Sequence, residues 1–188
     1  MDIIENIRKY VISTCEKLNR MSDYEFHISI VEDLALKLAD KFNADKEILQ
    51  ISALLHDIGR IKYGPENHEE TGALEAEKIL KKLNYDNEKI EKVKECIKEH
   101  RHEKPTIPVS LEAKILKIAD AYSHFKKPIE IVCMGISLGV EVKEGIDWMK
   151  KKLEKDLKFL EEMNKEIEIS EIVEECKRVY ESFSLLTK

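Results

Sequence analysis

Apolar residues return at steps of three and four through nearly the whole chain, and no stretch sustains the period-two alternation of a strand. Ile3, Ile7, Val11, Cys15 and Leu18 form the first such stripe. A second helix is predicted from Ser22 and Asp23, read as cap residues, with Val31, Leu34 and Leu38 on one face. A third runs from Asp45 to Leu55 and closes at Gly59. Asn67 to Leu83, with Ala76, Ile79 and Leu83 in line, is a fourth, and Asn87 to Glu99, with Ile90, Val93 and Ile97, a fifth. Ser110 to Phe125, with Ala113 and Leu116 inward, is a sixth. Only 6 Gly and 4 Pro are spread over 188 residues, too few for the many tight turns of a β fold. The pattern specifies an all-α chain.

The six helices define a core over residues 1–126, and residues 127–188 are expected to pack on the same domain as a C-terminal helical extension. In that extension Gly135 and Gly139 have the small-xxx-small spacing of close helix packing. A long charged helix over 145–165 turns Met149, Leu153, Leu157 and Leu160 inward, and a last helix covers 170–186. The start, MDIIENIRKY, has no apolar signal core, and the uncharged run Ile131–Val140 is too short to span a bilayer. The 4 cysteines form no CxxC pair, which excludes a zinc ribbon and disfavours a disulfide framework. These features predict a cytoplasmic protein with no membrane partner. Lys and Arg number 32 against 38 Asp and Glu, a net charge of -6, which disfavours a nucleic-acid polymer as partner. The scarcity of glycine likewise disfavours a glycine-rich phosphate loop. A homodimer is compatible with the pattern.

The histidines continue the apolar stripes. His27 precedes Val31 by four residues, and His56 follows Ala53 by three. His68 leads the Gly72–Ala76–Ile79 face, and His100 ends the Ile90–Val93–Ile97 face. Asp57 adjoins His56, and Asp120 stands four residues after Leu116. Taken singly, each histidine reads as a hydrogen-bonded core residue and each aspartate as a cap or an ion pair. Together they would bring several ionisable groups into one core, which is unfavourable unless they pair or bind a cation. Imidazole with carboxylate suits Fe, Mn, Zn, Co or Ni, in one or two ions. Glu69 and Glu70 read as solvated acids at a helix N-terminus.

His27, then His56-Asp57 within LLHDIG, then Asp120 within KILKIAD, resembles the HD superfamily of metal-dependent phosphohydrolases. The resemblance covers roughly residues 20–126 and implies a multi-helix HD-domain bundle. It implies His27, His56, Asp57 and Asp120 as ligands of a first divalent metal. His68 in NHEETGA and His100 in IKEHRHE resemble the branches with extra histidines, in which Asp57 would bridge to a second metal held by His68 and His100. His102 is an alternative ligand there. Arg60 stands where such branches often carry lysine, and HRHEKPTIP lacks the GYP motif of the cyclic-di-GMP branch.

The implied activity is hydrolysis of a phosphate ester or anhydride in a nucleotide or similar small phosphorylated metabolite, by water that the metal activates. His56, Asp57 and Arg60 form the catalytic group, and Arg60, Arg101 and Lys104 are the candidates for substrate phosphate, ahead of Lys62. Two alternatives stay open. One is a metal-containing nucleotide-binding sensor without turnover, and the other an oxygen-using di-iron enzyme on the same scaffold. A purely structural helical protein ranks below them.

Overall fold

The computed structural model describes residues 2–101 and 107–186. Every regular element among them is helical. Two compact units result, Met1–Ala119 and Asp120–Lys188.

In the first unit, α1 (Ile3–Lys17) buries Ile7, Val11 and Cys15 of its predicted stripe, while Leu18 falls beyond the helix and is exposed. The next predicted helix proves to be three pieces. A short α2 (Met21–Asp23) widens into a π-helical stretch, Tyr24–Ile28, and tightens again as α3 (Ser29–Phe42). The Ser29 N–H reaches back to the Tyr24 carbonyl across this stretch. Asp23, read from sequence as a cap, instead buries its carboxylate under the Arg20 side chain.

Helix α4 (Lys46–Leu55) starts at Asp45, whose carboxylate accepts from the Glu47 and Ile48 N–H groups at 3.1 Å. Its Ile48, Leu49, Ile51, Ala53, Leu54 and Leu55 are all buried, so it is covered on nearly every side. Helices α1, α3 and α7 pack around it. Two further helices, α5 (Ile58–Tyr63) and α6 (His68–Lys82), pack on each other, and α7 (Asn87–Glu99) packs on α6. The third predicted helix ends at Leu55 as expected, but its stop is the His56–Asp57 turn and not Gly59, which lies inside α5.

Helix α8 (Leu111–Lys126) carries buried Ala113 and Leu116 as predicted, and the division between the units falls within it. The second unit continues with α9 (Pro128–Ser137), α10 (Val142–Met163) and α11 (Ser170–Leu186), with α9 and α11 each packed on α10. Pro128 occupies the first turn of α9, where its missing N–H costs nothing. Gly139 ends that helix at φ 92 and a Cβ there would touch nothing within 4 Å, so its role is the turn and not the predicted helix contact. Gly145 of α10 faces the Val132 side chain of α9, where a Cβ would make an ordinary contact at 3.5 Å. The buried stripe of α10 runs Met149, Leu153, Asp156, Leu160 and Met163, so Asp156 takes the inward place expected for Leu157.

A chain this poor in glycine turns its helix ends with asparagine. Asn19, Asn43 and Asn84 follow α1, α3 and α6 at φ 55, 54 and 53. A short polar side chain tolerates that left-handed backbone better than most.

Candidate metal centre

Four histidines and one aspartate of the first unit meet at the ends of separate helices. His27 sits on the π-helical stretch, His56 and Asp57 at the break between α4 and α5, His68 at the start of α6, and His100 at the end of α7. Asp57 has φ -100 and ψ 9, the sparsely populated bridge between helix and strand regions. That turn ends α4 and aims consecutive side chains, His56 and Asp57, at one point.

The approach of α5 to α6 depends on glycine. A Cβ on Gly59 would stand 2.3 Å from the His68 carbonyl oxygen and 2.5 Å from the Gly72 nitrogen. Backbone thus lies directly on backbone, and this brings Asp57 and His68 together. Behind this contact, Glu75 of α6 accepts from Lys62 of α5, from the Tyr10 hydroxyl of α1 at 3.1 Å and from the Tyr63 hydroxyl of α5 at 3.1 Å. The short helix is fastened at both ends.

The two oxygens of Asp57 face different partners. Its Oδ2 lies 3.7 Å from His27 Nε2 and 4.0 Å from His56 Nε2. Its Oδ1 lies 3.5 Å from His68 Nε2 and 4.0 Å from His100 Nε2. The imidazoles are turned so that Nε2 points inward. His56 Nδ1 donates to the Ala53 carbonyl at 2.7 Å, His68 Nδ1 to Pro65 at 2.9 Å and His100 Nδ1 to Ile97 at 2.5 Å. Such bonds fix ring and tautomer, as they do for metal-bound histidine. His27 and His56 approach Nε2 to Nε2 at 3.1 Å. Two nitrogens bound at right angles to one cation, each at about 2.1 Å, stand about 3 Å apart, so the observed spacing fits shared ligation. The cluster therefore contains two overlapping groups able to hold a cation, His27–His56–Asp57 and Asp57–His68–His100.

Burial alone would push the Asp57 carboxyl up. The charges of His56, the Arg60 guanidinium, His27 and His100 outweigh it and hold the group well below the usual carboxylate range. Arg60 is tied to the same carboxylate, with Nη1 3.2 Å from Asp57 Oδ2.

The other predicted residues lie as follows. Asp120 is buried on α8, where the Ser123 hydroxyl donates to its backbone carbonyl at 2.7 Å, and it belongs to the second unit. Arg101 donates from Nη1 to Glu69 Oε2 at 3.2 Å. Glu69, expected as a solvated acid, is instead buried against that guanidinium, while Glu70 stays at the surface beside Lys98. Lys62 serves the Glu75 hub. Lys104 and His102 lie outside the described residues. Arg20 and Glu75 escape the sequence reading because a charged residue off the apolar stripe looks the same whether solvated or paired.

A helical bundle that points four imidazoles and a shared carboxylate at one centre could hold a divalent metal there. The profile of the HD domain family matches residues 24–124, and the chain belongs to that family. A crystal structure of a predicted HD superfamily hydrolase from an uncultured Thermotogales bacterium superposes with a TM-score of 0.56 at 24% identity, covering 86% of this chain and 89% of that one. This similarity shows the fold. The tRNA (cytidine(56)-2'-O)-methyltransferase of Picrophilus torridus is 39% identical over 61 residues, which is 32% of this chain and 17% of that protein. The chain thus spans under a fifth of that relative. Among the described residues no helix is long and apolar enough to cross a membrane.

Proposed function

We propose that this chain is a metal-dependent phosphohydrolase that cleaves a phosphate ester or anhydride of a nucleotide or similar small phosphorylated metabolite. The observation that carries the reading is Asp57, whose Oδ2 faces one histidine pair and whose Oδ1 faces another. His27, His56 and Asp57 would hold one divalent cation, and His68, His100 and the same Asp57 a second. The family's order of His, His-Asp, Asp assigns Asp120 to the first cation. Imidazole and carboxylate donors suit Mn, Fe, Co, Ni or Zn.

Such ions, when bound, supply positive charge at phosphoryl oxygens and make water more acidic. The chain's own residues do the rest. Asp57, kept ionised by its neighbours, holds the two halves of the site in register. Arg60, fixed against Asp57, orients the phosphoryl group, with Arg101 and Lys104 assigned the same role from sequence. In the overall reaction a water oxygen bonds to phosphorus as the bond to the leaving oxygen breaks, and a water proton passes to the leaving group or to solvent. The net charge of -6 favours small phosphates over polymers.

The test is metal analysis of the purified protein, followed by phosphate-release assays on nucleotides, dinucleoside polyphosphates and cyclic dinucleotides with Mn, Fe, Co and Ni. Asp57→Ala should lose both metal and turnover while staying helical by circular dichroism. An Asp57→Ala protein with parental metal content and turnover overturns the reading, as does turnover that requires oxygen. Nucleotide binding without release of phosphate by the metal-loaded protein would replace it with a sensor module.

A further inference from the structure

Glu69 stands in the first turn of α6, directly after His68, and only 3% of its surface meets solvent. An acid suits a helix N-terminus, which lowers the cost of burying it but does not explain where its oxygens point. Its Oε2 lies between two groups. On one side Arg101, which follows His100, donates to it from Nη1 at 3.2 Å. On the other side His68 Nδ1 stands 3.9 Å away. That separation exceeds a hydrogen bond, and Nδ1 already donates to the Pro65 carbonyl at 2.9 Å. The carboxylate therefore acts on the ring through its charge. The inner nitrogen of the same ring, Nε2, lies 3.5 Å from Asp57 Oδ1, and the ring centroid is 5.2 Å from that of His100. Glu69 thus backs the half of the cluster formed by His68, His100 and Asp57 Oδ1.

That half is short of negative charge. Asp57 is shared, and the family's order gives Asp120 to the His27–His56 half. A second cation would meet two imidazoles, which bring no negative charge, and one oxygen of a carboxylate that also serves the first. A further carboxylate close behind a ligand ring stabilises the positive charge that a bound cation draws onto the imidazole, and burial leaves this interaction poorly screened. Arg101 opposes it in sign. Its side chain is 31% exposed against 4% for Glu69, so water damps the guanidinium more than the carboxylate.

We propose that Glu69 is a positioning residue that acts through His68: its carboxylate, held by Arg101, strengthens cation binding at the His68–His100–Asp57 group and leaves the His27–His56–Asp57 group unaffected. The inference rests on the metal centre of the proposed hydrolase and needs no particular substrate. It gives Arg101 a duty besides the phosphate role read from sequence, which is to fix the direction of the buried acid.

The experiment isolates each half in the full-length protein. His56→Ala keeps the His68 group and His68→Ala keeps the His27 group, and cobalt(II) titrated by calorimetry and visible absorption reads the affinity of each. Glu69→Gln preserves size and removes the charge. In the His56→Ala background it should weaken cobalt by about tenfold or more, and in the His68→Ala background it should stay within about twofold. Glu69→Asp, which keeps the charge one methylene farther from the ring, should recover part of the loss. Affinity of the His68 group within about twofold of its background after Glu69→Gln, or equal weakening of both groups, overturns the proposal. A His56→Ala protein that binds no cobalt overturns it as well. Should Glu69→Gln fail to fold, Glu69→Asp decides in the same two backgrounds. Weakening by about threefold or more at the His68 group alone supports the role, and equal effects on the two groups overturn it. Weakening confined to the His68 group, with no phosphate released from any ester, would support Glu69 in this role and remove the hydrolase reading.

Discussion

At the scale of single residues, Asp57 is the shared member of two ligand groups, and this makes the histidines unequal in a measurable way. His68 and His100 are paired with Oδ1, whereas His27 and His56 are paired with Oδ2. His68→Ala should therefore remove one cation and leave the other, so plasma mass spectrometry should read about half the parental metal. His56→Ala should leave the Asp57–His68–His100 group able to bind, and Asp57→Ala should leave neither. Equal metal content in the parent and His68→Ala would rule out a second cation. His27, His56, His68 and His100 were legible in the sequence because each extends an apolar stripe, where an ionisable side chain needs a reason to be, and Asp57 because it adjoins His56 at a helix end. Arg20, Glu69 and Glu75 were not. Helix periodicity places them at ordinary polar positions, and only their contacts with Asp23, Arg101 and Lys62 show that they are paired.

At the scale of elements, the site depends on how closely α5 lies on α6. A Cβ at Gly59 meets backbone at 2.3 and 2.5 Å and the Thr71 hydroxyl oxygen at 2.6 Å, contacts that rotamer changes cannot relieve. At Gly72 the corresponding contacts are 3.3 Å to the His56 carbonyl oxygen and 3.4 Å to an Ile97 methyl, which small shifts can accommodate. Gly59→Ala should destabilise by about 1–3 kcal/mol or more and lower metal content by moving His68 from Asp57. Gly72→Ala should change both far less. Thermal melts with metal analysis check the order, and a Gly59→Ala protein as stable and metal-loaded as the parent contradicts it. The sequence predicted a glycine ending the third helix. The helix ends at Leu55 as expected, yet the stop is the inward turn at His56–Asp57, where no residue is a strong helix breaker. The helices themselves were legible from their period. The π-helical widening at Tyr24–Ile28 was not, since a single extra residue in one turn leaves the apolar spacing nearly intact.

At the scale of the molecule, the second unit carries its own buried charge cluster, with consequences for acid stability. His124 of α8 lies 2.9 Å from Asp156 of α10, and Lys152 of the same helix lies 3.0 Å from the other Asp156 oxygen. Burial, then the Lys152 charge, pushes the His124 imidazole down to about 4; Asp156 and Asp120 pull the other way and lose. The folded imidazole is therefore neutral at pH 7. An unfolded imidazole has its ordinary value of about 6.5, so between about pH 6.5 and 4 the unfolded chain binds the extra proton. Stability from this group is fully present above pH 6.5 and declines as the pH falls, until protonation in the fold ends the loss near pH 4. A displacement of this size is worth about 3 kcal/mol over that window. His124→Gln should be less stable than the parent at pH 7, because the buried Asp156 loses the imidazole packed 2.9 Å from it, yet its stability should fall less on acidification. Urea unfolding from pH 7 to pH 4 with a chelator present separates this effect from release of cations by the first unit. Parallel pH profiles for parent and His124→Gln would place the acid sensitivity elsewhere. The reason the sequence hid this cluster lies in α10, where Asp156 and Leu157 are adjacent candidates for the inward place. Only a partner on another helix decides between them, and here His124 with Lys152 favours the aspartate.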